Sequence, residues 1–257
     1  MIFPMAITQT AAVPCDVNLV PNFGFEFGNV GFANGYSFFP SQGTLVDAVT
    51  NPLITECRCS ILDRTLYPRS NATTFHPSWS PCLPRHGARA LICNGCYNFT
   101  AFQYEVVWAS DMSYDVVRGA NYSASFYASS IFFIALIQMK LQYCAGNVTT
   151  CPLFGNVSTW VDVGTVAPII NQTTITAQQV CNYSMGTGFF TTAAGTTQIW
   201  LRILDVSTAN AGNDFLLDDI NLMQTCAPTA SSDATLTLTP TSTATSTLTS
   251  PSSSSTT

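Results

Sequence analysis

Three sets of side chains in this chain have types and spacing that could do chemistry. The first is acidic: Glu26 near the start, and the adjacent Asp218 and Asp219 near the end. A hard cation such as Ca²⁺ takes roughly six to eight oxygens from carboxylates, carbonyls and water, and these residues offer some of them. Adjacent carboxylates also end strands in solvent, so both readings stay open. The second set would be catalytic. Its only histidines, His76 and His86, lie in Pro-rich stretches, and no G-x-S-x-G elbow, GxGxxG loop or P-loop occurs. Glycoside hydrolysis needs two carboxylates about 5 to 10 Å apart. Most acids here lie singly in loops, and Glu105 is the one acid placed on a sheet face, so catalysis fits poorly.

The third set comes from strand alternation, in which successive side chains point to opposite faces. Choosing the apolar face as inward puts Tyr122, Ala124, Phe126 and Ala128 inside and Tyr127 outside. The same rule puts Met139 and Leu141 inside with Gln138, Lys140 and Gln142 outside, and Ile199, Leu201 and Ile203 inside with Trp200 and Arg202 outside. Phe102, Tyr104, Val106 and Trp108 fall on one side, and Trp108 is assigned to the core. If these strands share a sheet, Tyr127, Gln138, Lys140, Gln142, Trp200 and Arg202 line one face. Hydroxyls need donors and acceptors such as Gln and Arg, and the C–H face of a pyranose needs a flat ring, so the expected ligand is a saccharide. The competing readings are a solvated face, or one covered by an N-glycan at Asn121.

The elements that must position these residues are short β-rich runs separated by Gly, Pro, Asn and Ser clusters, without helical periodicity. The clearest strands are Ala90–Cys93, Phe102–Ala109, Tyr122–Ser129, Phe133–Tyr143, Thr197–Leu204 and Phe215–Met223. Such a pattern predicts an all-β sandwich or barrel. Residues 51–89 carry five prolines and three cysteines and read as long stapled loops. Of the 10 cysteines, Cys15 and Cys226 flank the domain and Cys144 and Cys151 bracket a short loop, which suggests two pairs. Cys57-Arg-Cys59 and Cys93-Asn-Gly-Cys96 have superficial metal or redox spacing. With no second tidy pair and no α/β context, structural disulfides are the expectation.

Two segments carry a resemblance: Asn18-Leu-Val-Pro-Asn-Phe-Gly-Phe-Glu-Phe-Gly28 and Gly212-Asn-Asp-Phe-Leu-Leu-Asp-Asp-Ile-Asn-Leu222. With His86–Gly95 and Val117–Phe126 between them, they resemble, in order, the opening, middle and closing strands of family 4/9 (CenC-type) carbohydrate-binding modules and related galactose-binding-like jelly rolls. Phe23 where those modules have a small residue, the long 51–89 region and the ten cysteines depart from the pattern. The resemblance implies a jelly-roll β-sandwich, a polysaccharide or glycan as partner, and a structural Ca²⁺ between the first and last strands. By it Glu26 and Asp218 are ligands, with Asp219 a third.

Charge and composition exclude other classes. With 8 Lys+Arg against 14 Asp+Glu, a net charge of −6 and one lysine, the chain lacks the positive field that nucleic-acid binding needs. The longest apolar run, Ile131 to Ile137, is far short of the roughly 20 residues that span a bilayer. Seven N-glycosylation sequons, at Asn71, Asn98, Asn121, Asn147, Asn156, Asn171 and Asn182, together with an even cysteine count, favour an oxidising, glycosylating compartment. From Pro228 to Thr257, 20 of 30 residues are Ser or Thr, the composition of a disordered, O-glycosylated stalk. Residues 1–14 read as a leader or truncated signal segment, 15–227 as the jelly-roll domain and 228–257 as the stalk. The sequence thus predicts a secreted or cell-surface glycoprotein with a non-catalytic carbohydrate-binding domain. Its alternatives are a structural or adhesive surface domain, or an accessory fragment of a modular glycoside hydrolase.

Overall fold

A computed structural model describes residues 14–38, 54–65, 71–96, 105–133, 137–154, 158–164, 170–171, 179–207 and 213–226. In chain order the strands are β1 (Phe32–Ala33), β2 (Ser37–Phe38), β3 (Arg58–Asp63), β4 (Arg89–Asn94), β5 (Glu105–Ser110), β6 (Tyr114–Asp115) and β7 (Asn121–Ser130). They continue as β8 (Gln138–Ala145), β9 (Val161–Asp162), β10 (Ile170–Asn171), β11 (Ser184–Thr191), β12 (Gln198–Asp205) and β13 (Phe215–Thr225). One sheet has seven strands in the order β1-β5-β12-β8-β10, with β6 beside β12 and β9 beside β8. The other has six, ordered β11-β7-β13-β4-β3-β2. From β5 onward the long strands alternate between sheets, which wraps the chain into the all-β jelly-roll sandwich the sequence predicts.

Alternation builds the layer between the sheets. Tyr122, Phe126, Phe215 and Leu217 of the six-stranded sheet meet Met139, Leu141, Leu201 and Ile203 of the seven-stranded one, with Trp108 among them, all buried. Removing this apolar area from water is the main favourable term for a sheet sandwich. Further apolar clusters lie outside the sandwich. Phe75, Trp79 and Cys82 cover Leu62, Ile92 and Leu216 on the outer side of the six-stranded sheet. Cys151 and Trp160 cover Cys144 and Trp200 on the outer side of the seven-stranded one.

The structure corrects three sequence expectations. Residues 51–89 are not loops throughout: β3 lies within them and pairs with β4 from Arg58↔Asn94 to Asp63↔Arg89. Val106 and Trp108 do not share a side, because the β5–β12 register skips from Ile203↔Trp108 to Leu204↔Val106. This β-bulge turns Val106 outward, beside Leu204, while Trp108 stays in the core. The third is β11, absent from the predicted strands, which forms the edge next to β7.

All ten cysteines are paired: Cys15–Cys226, Cys57–Cys96, Cys59–Cys93, Cys82–Cys181 and Cys144–Cys151. The CxC and CxxC motifs are therefore bonded to each other across β3 and β4. The chain divides into Met1–Cys226 and Ala227–Thr257. The predicted leader, apart from Pro14, and the predicted stalk lie outside the described residues. Among those residues no helix is long and apolar enough to cross a membrane.

Candidate functional site

The predicted saccharide face divides between the two sheets. Gln138, Lys140 and Gln142 on β8 and Trp200 and Arg202 on β12 share the outer face of the seven-stranded sheet, with Arg202 opposite Gln142 and Trp200 opposite Cys144. Tyr127 is on β7, in the other sheet. It does not join them, a correction that alternation alone could not supply because it fixes a residue's face but not its sheet.

Four of the five, Lys140, Gln142, Trp200 and Arg202, are engaged by the chain that follows β8. After the Cys144–Cys151 bridge the chain returns over this face, and β9 pairs with β8 through Gln142↔Asp162. Trp200 is 8% exposed and donates from Nε1 to the Gly146 carbonyl at 3.1 Å. Arg202 is 3% exposed, donates from Nε to Gln142 Oε1 at 2.9 Å and lies 4.2 Å over the Trp160 ring. Burial pushes its guanidinium down to about 10. Asp162 accepts from Lys140 Nζ at 3.0 Å and Gln142 Nε2 at 2.7 Å. These side chains bond to one another beneath residues that include Cys151 and Trp160, and Trp200 is buried against them rather than open to a sugar.

The predicted cation ligands converge around Gly24, where a Cβ would lie 3.8 Å from Asp218 Oδ1 and Asp219 Oδ1 and 3.9 Å from Glu26 Cγ. One oxygen of each, however, is taken by nitrogen partners from residues 85–89. Glu26 Oε1 accepts from the Ala88 and Arg89 amides at 2.8 and 3.2 Å. Asp218 Oδ2 accepts from the Arg85 and His86 amides at 2.9 and 3.3 Å. Asp219 Oδ2 accepts from Arg85 Nη1 and lies 2.9 Å from His86 Nδ1. A hard cation needs those lone pairs, and here a guanidinium already supplies the positive charge, so the residues as arranged do not fit Ca²⁺. Among the described residues no group of three His, Cys, Asp or Glu side chains is placed to hold a metal ion. Nor do Asp218 and Asp219, at 0% and 4% exposure, flank an open space in which a glycosidic bond could sit.

The open surface lies on the outer face of the six-stranded sheet, over β11, β7 and β13. Strand register sets four rows across it: Met185–Tyr127–Asp218, Thr187–Ser125–Asn221, Phe189–Ser123–Met223 and Thr191–Asn121–Thr225. A bulge between Asp218 and Asn221, with Asp219 at φ 49°, turns the β13 side chains across the first two rows. Phe189 stands 67% exposed in the third row. Hydroxyls and amides of Ser123, Ser125, Thr187 and Asn221 surround it, and at the far end Arg85 stacks 3.5 Å over the Tyr127 ring centroid. At about 7 Å per row and about 5 Å per strand, the face is roughly 20 Å long and 10 Å wide. A flat apolar ring among short polar groups can stack on a pyranose and bond its hydroxyls. Sequence reasoning missed this surface because β11, SMGTGFFT, carries two glycines in place of apolar inward residues. Its signal was the alternation of Gly186, Gly188 and Phe190 inward with Met185, Thr187 and Phe189 outward.

No family model matches the chain, and no curated protein matches it. Solved structures similar to it include a family 16 carbohydrate-binding module, at 15% identity and a TM-score of 0.41 over 80% of this chain and 99% of that one. TmCBM61 in complex with β-1,4-galactotriose matches at 14% and 0.40, over 81% and 99%. The CBM22-1 xylan-binding domain from Paenibacillus barcinonensis Xyn10C matches at 13% and 0.36, over 58% and 81%.

Proposed function

We propose that the domain is a non-catalytic, extracellular carbohydrate-binding module and that its ligand lies on the outer face of β11, β7 and β13. The observation that carries this reading is Phe189, a ring left in solvent beside hydroxyl, amide and Met side chains of the neighbouring rows. The ordered motifs that resemble family 4/9 modules support the same function, and five disulfides suit an oxidising compartment. A saccharide chain would run along the rows, stacking on Phe189 while Ser125, Thr187 and Asn221 bond its hydroxyls.

The test is retention of the full chain, its N-glycans trimmed enzymatically, on soluble and insoluble polysaccharides. Selective retention by one glycan that falls at least tenfold in Phe189→Ala, with unchanged circular dichroism, is expected. In this reading Trp200→Ala lowers stability, by about 3 kcal/mol as for other buried aromatic truncations, without a selective loss of retention. A folded chain retained on no glycan would overturn the proposal and leave the structural or adhesive domain as the better reading. Loss of retention in Trp200→Ala alone would return the site to the covered face.

A further inference from the structure

Asn121 begins β7 with the sequon Asn121-Tyr122-Ser123. Its side chain is exposed and points out of the open face, in the row Thr191–Asn121–Thr225. Thr191 Oγ1 donates to Asn121 Oδ1 at 2.6 Å. This fixes the amide while leaving Nδ2 without a hydrogen-bond partner among the described residues. Diagonally across the β7–β11 pair stands Phe189, opposite Ser123, and diagonal neighbours on one face are about 7 Å apart. Two other sequon asparagines also accept through Oδ1 but lie off this face. Asn71 Oδ1 is spent on the Thr73 amide and hydroxyl at a 3₁₀ turn, and Asn147 Oδ1 closes a loop on Thr149 and Thr150.

We infer that Asn121 carries an N-glycan whose first N-acetylglucosamine packs on the exposed ring of Phe189, so that the protein's own sugar covers one end of the open face. The modification is ordinary transfer chemistry. Asn121 Nδ2 bonds to the anomeric carbon of an oligosaccharide carried on a polyprenyl diphosphate and loses one proton. The bond from that carbon to the phosphate oxygen breaks, and the polyprenyl diphosphate leaves with the bonding pair. The product keeps Oδ1, so the Thr191 hydrogen bond survives and continues to hold the linkage upright. The C–H face of the first sugar then meets an apolar ring that would otherwise stand in water, the contact that favours stacking. A glycan seated there covers the platform that an outside saccharide would use. The inference goes beyond the carbohydrate-binding reading: the glycan and an outside saccharide compete for Phe189, and that reading concerns the face once the Asn121 glycan is removed.

Two measurements on the full chain, secreted from a glycosylating eukaryotic host, test it. Mass analysis of the peptide containing Asn121 should show a hexosamine-based glycan, and an unmodified peptide would overturn the site. Melting temperatures of the wild type, Asn121→Gln, Phe189→Ala and the double variant test the packing. Loss of the glycan should lower Tm by about 2 to 4 °C when Phe189 is present and by less than 1 °C when it is Ala. Equal shifts in both backgrounds would overturn the stacking. Ser123→Ala keeps Asn121 while removing the sequon, and should reproduce the Asn121→Gln shift if the sugar rather than the amide is responsible.

Discussion

At the scale of single residues, two buried carboxyls set a pH dependence. Loss of hydration, reinforced by the adjacent Asp219, pushes Asp218 up to about 7 against an ordinary 3.8. Burial pushes Asp214 up to about 6, opposed by donation from Trp79 Nε1 at 2.8 Å and the Gly95 amide at 3.2 Å. Both folded values lie above the unfolded one. Between about pH 4 and 7 the native chain therefore holds protons that the unfolded chain has released. Their contribution to stability is full below about pH 4 and is lost as pH rises through 6 and 7. The urea midpoint should fall between pH 5 and pH 8, and Asp218→Asn should flatten that fall. A midpoint that is level or rising over this range would refute the assignment. The resemblance to family 4/9 modules implies that Glu26, Asp218 and Asp219 lie near one another, and in the structure all three stand around Gly24. Nothing in the sequence foretold that Arg85 would supply the positive partner, because it comes from a loop more than 130 positions away from Asp219.

At the scale of elements, alternation was legible and sheet membership was not. The inward and outward sets of β7, β8 and β12 are those the apolar pattern predicts, yet Tyr127 and Trp200 belong to different sheets. Solvent exposure was equally illegible, because the cover over Trp200 and Arg202 is placed by tertiary contacts of residues such as Cys151 and Trp160. β11 escaped for a packing reason: Gly188 is small because Val163 crosses it. A Cβ there would lie 2.7 Å from Val163 Cγ1 and 2.9 Å from the Val163 carbonyl oxygen. The second contact is with backbone and cannot be relieved by a rotamer change. Gly188→Ala should therefore destabilise the domain by about 1 to 3 kcal/mol, seen as a lower urea midpoint at unchanged m value. An unchanged midpoint would show that β11 is not held against this segment.

At the scale of the whole molecule, the disulfides divide two tasks that sequence spacing only half revealed. Cys15–Cys226 and Cys144–Cys151 could be proposed from their positions, whereas the other three depend on the β3–β4 pairing and on the loop that Cys82 ties to Cys181. Cys15–Cys226 spans 211 residues of sequence and clips the first segment along β13. There Leu19 N donates to the Leu222 carbonyl at 2.8 Å, and Asn18 Oδ1 accepts from Leu222 N at 2.9 Å. Closing so long a loop restricts the unfolded chain most, so replacing both cysteines by Ser should cost about 5 kcal/mol, or roughly 10 to 20 °C in Tm. The strap's own hydrogen bonds should keep the native near-UV spectrum unchanged. Cys144–Cys151 spans 7 residues and removes less entropy, about 2 kcal/mol by the same reasoning, but it anchors the cover over Trp200. Its Ser pair should lower Tm less while shifting Trp200 fluorescence to the red, read against a Trp200→Phe control. If the long clip exposed the tryptophan and the short one did not, the cover would be held by the strap along β13 rather than by its own bridge.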